Sequence, residues 1–261
     1  MRIKNMKISE ITALLDKEFP PEAAEAWDNI GLLIGRADKE VKRALLTLDV
    51  TPFVVEEAIK ADVQLIVSHH PLMFNGVKKI TSGSMEGRIL LALAESKIAV
   101  YAAHTNMDSA KRGLNAELAK LFGLQRAVPV EPNAVSGAGL GRIGDLKTPV
   151  TAREFAESAK EILHTTVRLS GNPQKLVKRA AVGSGASDDI IPRAVGMGAD
   201  LVLTGDCKYH RNQEYVGMGA VVVDAGHYPT EIIAIDIFER VLKDCNVELI
   251  KSKNKDIFEY I

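Results

Sequence analysis

A short hydrophobic run that ends in two adjacent histidines constrains this chain more than any other feature. The run Gln64-Leu65-Ile66-Val67 is followed at once by Ser68-His69-His70-Pro71. Its length, its branched residues and the turn-favouring residues beyond it predict a buried β-strand. Open α/β sheets bind their ligands beyond the carboxyl ends of their strands. Because histidine is the commonest metal ligand, this pair predicts a metal site.

Strands and helices alternate around this run. Residues 43–50 are typical of a strand, and Thr51 with Pro52 predicts the start of the next helix. That helix leads into the strand that ends at His69. A strand, a helix and a strand in this order favour a parallel pair with a right-handed crossover. The alternation continues after residue 128, so the chain is predicted to be α/β, with two α/β sandwiches of similar plan.

Three further segments carry predictions of local structure. Proline and glycine cluster from Pro129 to Gly144, which predicts a linker. Residues 104–108 are predicted to form a loop after the strand 98–103. Residues 229–242 are predicted to form one helix with an apolar face.

The bulk composition excludes several classes of function. The chain has 261 residues, of which 46% are hydrophobic, with a net charge of −1 and two cysteines. A charge near zero argues against nucleic-acid binding, and no apolar run approaches the ~20 residues that span a bilayer. Two cysteines are too few for a disulfide framework. We therefore expect a soluble cytoplasmic protein that has no membrane partner, and nucleic-acid binding ranks last among its candidate functions.

The positions of the histidines are the strongest functional signal. Four of the six directly follow a predicted strand, namely His69, His70, His104 and His227. Asp108 lies four residues after His104, and Glu231 lies four residues after His227. Adjacent side chains in an extended chain diverge, so His69 and His70 suit two neighbouring ions better than one. Mixed imidazole and carboxylate ligands suit zinc, iron(II) or manganese(II) without choosing among them.

Weaker features leave alternatives open. Trp27, the only tryptophan, is interpreted as a core or subunit-contact anchor rather than a ligand platform, and a polar cluster with its neighbours near a site is a further alternative. The segment 183–187 precedes a helix and is either an anion cradle or a tight strand-to-helix turn. Lys208 and His210 are either a phosphate binder and a proton carrier or a solvated helix start. Cys207 has no neighbour that marks it as a nucleophile.

Several of these motifs resemble one known family. Ser68-His69-His70-Pro71, His104-Thr105-Asn106-Met107-Asp108 and Gly226-His227-Tyr228-Pro229-Thr230-Glu231 are similar to the three metal-binding motifs of the GTP cyclohydrolase 1 type 2 homologue family, the Nif-three-like proteins. Segments 27–32 and 203–206, the latter together with His210, resemble two further segments of the same family. The resemblance runs in order from near the amino terminus to Glu231.

The resemblance implies an architecture and a site. It implies two intertwined three-layer α/β/α domains, one of residues 1–128 plus 226–261 and an inserted one of residues 129–225. It also implies a toroidal homohexamer, a trimer of dimers, with two divalent metal ions in each subunit. By position, His70 and Asp108 would bind one ion, His69 and His227 the other, and Glu231 would bridge them. His104 would lie beside the site.

These residues predict a metal-dependent hydrolase. Two ions would activate water against a nucleotide, a phosphoester or a cyclic amidine, and His104 or His210 would transfer a proton. The alternative is a ring without catalytic activity that holds or delivers metal, or that serves as a scaffold for a partner protein.

Overall fold

The computed structural model describes residues 5–259, which form thirteen strands and ten α-helices. The strands are β1 (Met6–Lys7), β2 (Gly31–Ile34), β3 (Glu40–Val41), β4 (Arg43–Thr47), β5 (Leu65–Ser68), β6 (Ala99–Ala102), β7 (Gln125–Pro132), β8 (Gly139–Thr151), β9 (Arg168–Ser170), β10 (Leu176–Val182), β11 (Leu201–Thr204), β12 (Val222–Asp224) and β13 (Glu248–Lys251). The helices are α1 (Ile8–Glu18), α2 (Pro52–Lys60), α3 (Met85–Glu95), α4 (Thr105–Ser109), α5 (Leu114–Leu121), α6 (Ala152–Ile162), α7 (Ile191–Gly196), α8 (Tyr209–Gly217), α9 (His227–Glu231) and α10 (Ala234–Leu242).

The chain divides into two compact units. The first runs up to Met107 and resumes at Ala234–Lys255, and the second comprises Asp108–Ile233 with the residues from Asp256 on. Compactness by itself does not identify a folding domain, so the domain boundaries drawn from the sequence stay predictions.

The first unit is built on a five-stranded sheet in the order β13-β4-β5-β6-β2, parallel except for β2. On one face, Leu45, Ile66 and Val100 pack in a buried cluster with side chains of α2 and α3. On the other face, the Tyr101 hydroxyl donates a hydrogen bond to Asp16 of α1 (2.7 Å). Helix α10 packs against α1 on this second face. Helices α2 and α3 thus cover one face of the sheet, and α1 and α10 cover the other.

The second unit has a six-stranded sheet in the order β7-β8-β10-β11-β12-β9. Its three central strands are parallel, and its remaining strands pair antiparallel. Alternate residues of the central strands fall into two buried clusters, one containing Leu201 with α5 and α6, the other containing Val202 with α7 and α8. Each unit thus has three layers, and the predicted α/β class is confirmed.

The predicted linker at 129–144 is wrong. Most of this stretch belongs to β7 and β8, which pair antiparallel. Its glycines allow close strand contact. A Cβ atom at Gly139, where φ is +146°, would lie 2.2 Å from the carbonyl oxygen of Glu131. Pairing between neighbouring strands, and not flexibility, explains the composition of this stretch.

Two other predictions of local structure need correction. The segment after His104 is one helical turn, α4, and not a loop. The single helix predicted over 229–242 is divided into α9 and α10, and Glu231 ends α9. Among the described residues, no helix is both long enough and apolar enough to cross a membrane.

Candidate metal centre

Three imidazoles lie together at the carboxyl edge of the sheet in the first unit. His69 and His70 follow β5, and His104 follows β6. The ring centroids are 5.0 Å apart for His69 and His70, 5.2 Å for His69 and His104, and 5.5 Å for His70 and His104. One ring nitrogen from each lies within 4.8 Å of the other two. These three nitrogens are close enough to share a metal ion.

His69 and His70 are each oriented by an acceptor at Nδ1. His69 Nδ1 lies 2.8 Å from the carbonyl oxygen of Ala103, and His70 Nδ1 lies 2.7 Å from a carboxylate oxygen of Asp49. A carbonyl oxygen only accepts hydrogen bonds, so His69 carries its proton on Nδ1. Its Nε2 atom then holds the lone pair, which is the arrangement that metal-binding histidines require.

His104 is held in the same way by Asp28, whose side chain is fully buried. His104 Nδ1 lies 3.0 Å from one oxygen of Asp28, and the other oxygen accepts from the Thr105 backbone N–H at 2.9 Å and from the Thr105 hydroxyl. Burial alone would raise the pKa of Asp28, but the hydrogen bonds from His104 and Thr105 lower that pKa to about 2. Asp28 is therefore ionised at neutral pH and fixes the His104 proton on Nδ1.

The second unit brings two carboxylates and one imidazole together. A carboxylate oxygen of Asp108 and one of Glu231 lie within 4.8 Å of each other. Glu231 Oε2 is also 2.9 Å from Nε2 of His227, one helical turn away. Asp108 and Glu231 are both buried. Two buried carboxylates beside an imidazole make a donor set that a divalent cation would stabilise.

Asp108 is oriented by neutral donors. The Ser184 hydroxyl donates to Asp108 Oδ1 at 3.0 Å. Asn115 connects the same residues, since its amide donates to the Asp108 carbonyl oxygen (3.1 Å) and its oxygen accepts from the Ser184 N–H (2.8 Å). These contacts orient the carboxylate without neutralising its charge.

His227 lies between two carboxylates. Its Nδ1 atom is 2.9 Å from Asp206, and its Nε2 atom is 2.9 Å from Glu231. A neutral imidazole carries a proton on only one of its nitrogens. If that proton is on Nδ1 and faces Asp206, a positively charged species, either a second proton or a metal ion, must lie between Nε2 and Glu231. Asp206 plays the part for His227 that Asp28 plays for His104.

The segment 183–187 permits the close approach of Glu231. A Cβ atom at Gly185, where φ is +54°, would lie 2.1 Å from Glu231 Oε1 and 3.1 Å from His227 Nε2. The Gly185 N–H also donates to the Thr230 hydroxyl at 2.9 Å. The segment is a turn that serves the carboxylate site.

His210 lies apart from both groups of side chains. It is exposed at the start of α8, where its ring contacts Tyr209 (5.3 Å) and Nδ1 lies 3.3 Å from Gln213 Oε1. None of the metal-binding groups found among residues 5–259 includes it. Its role in proton transfer stays a prediction.

Sequence reasoning missed the residues that orient the ligands. Asp28, Asp49, Asp206 and Ser184 each lie in a short segment beside a strand, in the same kind of position as the histidines. Three of them are acids that hold an imidazole, and Ser184 holds Asp108. Their positions after strands or in turns were visible in the sequence, but their pairing with particular ligands depends on the folded chain.

The fold and these side chains define a class of protein. Each unit is an α/β sandwich, and each presents histidine or carboxylate groups suited to a divalent metal at the carboxyl edge of its sheet. A family model described as Duf34/NIF3 (NGG1p interacting factor 3) matches residues 6–257. The chain belongs to this family, and the resemblance inferred from its motifs is confirmed.

Relatives and solved structures extend over nearly the whole chain. A protein of Clostridium perfringens named GTP cyclohydrolase 1 type 2 homolog is 36% identical over 98% of this chain and 100% of its own length. The crystal structure of a Bacillus cereus protein related to NIF3 has a TM-score of 0.90 at 26% identity and covers 99% of this chain and 100% of its own. Reduced HcgD from Methanocaldococcus jannaschii has a TM-score of 0.85 at 33% identity, with coverage of 97% and 100%.

Proposed function

We propose that this chain binds two divalent metal ions and uses them to hydrolyse a nucleotide, a phosphoester or a cyclic amidine. The ligands would be His69, His70, Asp108, His227 and Glu231. Zinc, iron(II) and manganese(II) all suit this mixture of nitrogen and oxygen donors.

One observation carries the proposal: four histidines have an acceptor at Nδ1. Backbone or carboxylate oxygens hold the Nδ1 atoms of His69, His70, His104 and His227 at 2.7–3.0 Å. Such outer hydrogen bonds select the tautomer and the ring orientation of metal-binding histidines. Structural histidines have no need for one shared arrangement, so its repetition supports a metal site.

The chain's own residues would bind and orient the substrate and move protons. When bound, divalent ions supply Lewis acidity and activate water. His104 has its proton on Nδ1, held by an ionised Asp28, so Nε2 is available to accept a proton. Ser184 orients the Asp108 carboxylate, and Asp206 orients His227.

The metal part of the proposal is tested by counting ions. An anomalous-scattering map of crystals of protein never exposed to chelator or added metal would count and identify them. We expect two ions per chain. Glu231→Gln should lose at least one, whereas the exposed Glu157→Gln serves as a matched control and should keep both. Wild-type protein without bound ions would contradict the proposal.

The catalytic part is tested by turnover. Protein with measured metal content is incubated with nucleotides, phosphoesters and cyclic amidines, and product is quantified. We expect product formation that disappears when the ions are removed and returns when they are restored. Full metal content without turnover of any substrate, together with rapid exchange of the ions, would favour the alternative of metal holding or delivery.

We also propose that the subunits assemble as a homohexamer, a trimer of dimers that forms a toroid. This proposal rests on the resemblance of the metal-binding motifs to those of the family. Mass determination of the native protein should give six times the mass of the 28.3 kDa chain. A monomeric or dimeric mass would contradict it.

A further inference from the structure

Two exposed aromatic side chains stand beside the imidazoles of the first unit. Trp27 is 62% exposed and Phe74 is 49% exposed. Their ring centroids are 6.4 Å apart with an angle of 32° between the planes. Both rings meet His104 edge to face, at 6.0 Å for Trp27 and 5.7 Å for Phe74. We call Trp27 and Phe74 the aromatic platform. Trp27 is therefore not a core residue, and its role as a subunit contact, the other half of that interpretation, stays a prediction.

The turn that carries Trp27 is fixed to the segment that carries His104. Buried Asp28 accepts hydrogen bonds from His104 and from the Thr105 backbone at 2.9 Å. The Glu25 N–H donates to the Thr105 hydroxyl at 2.9 Å. The residues on both sides of Trp27 are therefore held by polar contacts, although the indole itself is exposed.

The same turn is fixed to the loop that carries Phe74. The side-chain amide of Asn29 donates to the carbonyl oxygen of Met73 at 2.6 Å, and the Asn29 N–H donates to Asp28 at 2.8 Å. Met73 directly precedes Phe74. In the segment Trp27-Asp28-Asn29, one residue thus presents a ring while the next two hold His104 and the Phe74 loop.

A fixed and exposed pair of aromatic rings is typical of a binding surface. Aromatic side chains offer large contact areas to a ligand, and here the polar contacts arrange the backbone of the Trp27 turn before any ligand arrives. Less conformational entropy is then lost on binding. The platform also adjoins His104, so a ligand stacked on it would lie next to the three imidazoles.

We propose that the aromatic platform binds the planar conjugated ring of a small-molecule ligand and holds it beside His104. This inference rests on the proposed function, because it assigns the substrate to compounds that contain such a ring. A small ligand is favoured over a protein partner because the third ring of the group, His104, belongs to the imidazole cluster and is oriented by a buried carboxylate.

Ligand binding at the platform can be measured by the fluorescence of Trp27, because this residue is the only tryptophan in the sequence. The full-length protein is titrated with guanosine 5′-monophosphate and, as a matched control, with ribose 5-phosphate, which has no aromatic ring. We expect the nucleotide to quench or shift the emission and the sugar phosphate to leave it unchanged. Equal responses to both compounds would overturn the proposal.

Variants locate the interaction by equilibrium dialysis with the same nucleotide. We expect Trp27→Leu and Phe74→Leu to weaken binding by roughly fivefold to a hundredfold, the range for a base stacked on one aromatic ring. Trp27→Phe should retain most of the affinity. Phe53→Leu removes another exposed aromatic ring, 52% exposed on α2, and should change nothing.

The dialysis is repeated on metal-loaded and chelator-treated protein, with the native mass recorded for every variant. Ring binding by the chelator-treated protein would uphold the platform, whereas wild-type protein that holds no ions as purified would contradict only the metal-dependent hydrolase. Turnover that survives in Trp27→Leu with an unchanged KM would overturn the platform alone. A changed native mass with unchanged nucleotide affinity would identify Trp27 as a subunit contact and would also overturn it.

Discussion

Gly185 lies so close to Glu231 that no side chain fits between them. A Cβ atom at position 185 would lie 2.1 Å from Oε1 of the glutamate, and the glycine has a φ of +54°. Atoms of ordinary residues do not approach this closely. The absence of a side chain at position 185 therefore sets the position of the Glu231 carboxylate.

Gly185→Ala should displace Glu231 and reduce the metal content of the purified protein. The alanine also forces a left-handed backbone on a residue with a Cβ atom, which costs roughly 1–2 kcal/mol. Gly198→Ala is the matched control, because Gly198 has a φ of +87° and nothing within 4 Å of the added atom. Both variants should lose stability in thermal unfolding, but only Gly185→Ala should lose metal. Equal metal content in the two would contradict the role of Gly185.

Asp206→Asn should weaken metal binding about tenfold to a hundredfold, as the loss of such orienting carboxylates does elsewhere. Asp206 lies 2.9 Å from His227 Nδ1 and fixes which nitrogen of that ring faces Glu231. Competition with a chelator of known affinity measures the change. Asp189→Asn alters a carboxylate that is 88% exposed and should bind metal as the wild type does. Wild-type affinity in Asp206→Asn would exclude this role.

The parts of the fold that local patterns determine could be predicted from the sequence. The run ending at His69 forms the buried strand β5, and Thr51 caps α2 by accepting from the Val54 N–H at 3.2 Å. Hydrophobic periodicity and capping residues act over a few positions, so they are visible before folding. The α/β class followed from their order along the chain.

The misread segments depend on contacts that are distant in sequence. The glycines near Gly139 suggested a linker, because a need for close strand contact and a need for flexibility select the same residue. A large, apolar tryptophan favours a core or a subunit contact, yet Trp27 is exposed in this chain because the contacts of Asp28 and Asn29 hold its turn at the surface. The acids that hold the histidines could not be assigned to their rings, since each pairing is made only after folding.

Asp28 should make the stability of the metal-free protein depend on acid pH. Its pKa is about 2 in the folded chain, below the ordinary value of 3.8, so the folded state favours the ionised form. Its contribution is complete above about pH 5 and is lost as the pH falls through about 2, amounting to about 2 kcal/mol. Asp28→Asn cannot ionise, so the difference in unfolding free energy between it and the wild type should shrink over this range.

Denaturant unfolding at several pH values measures that difference. Asp244→Asn changes an exposed carboxylate and corrects for the general effect of replacing an acid with an amide. A difference between wild type and Asp28→Asn that is constant from about pH 5 to pH 2 would contradict the assignment of the ionised form to Asp28.

Arg142 should be among the most sensitive positions of the second unit. Its guanidinium group is buried and donates to the backbone oxygens of Gly139 (2.5 Å), Gly141 (2.7 Å), Ser109 (3.0 Å) and Ala110 (2.9 Å). Burial lowers the pKa of Arg142 to about 10, which leaves it charged at neutral pH. The carbonyls of Ser109 and Ala110 follow Asp108 directly, so the arginine fixes the chain beside a proposed ligand.

Arg142→Met should therefore destabilise the protein by roughly 3 kcal/mol or more, because several buried carbonyl oxygens lose a charged donor at once. Arg126→Met is the matched control, since the Arg126 side chain is 83% exposed and its ion pair with Asp145 should contribute less than about 1 kcal/mol. Denaturant unfolding measures both changes. If both variants lost the same free energy of unfolding, the hydrogen bonds from Arg142 to the backbone carbonyls would contribute no more to stability than the exposed ion pair of Arg126.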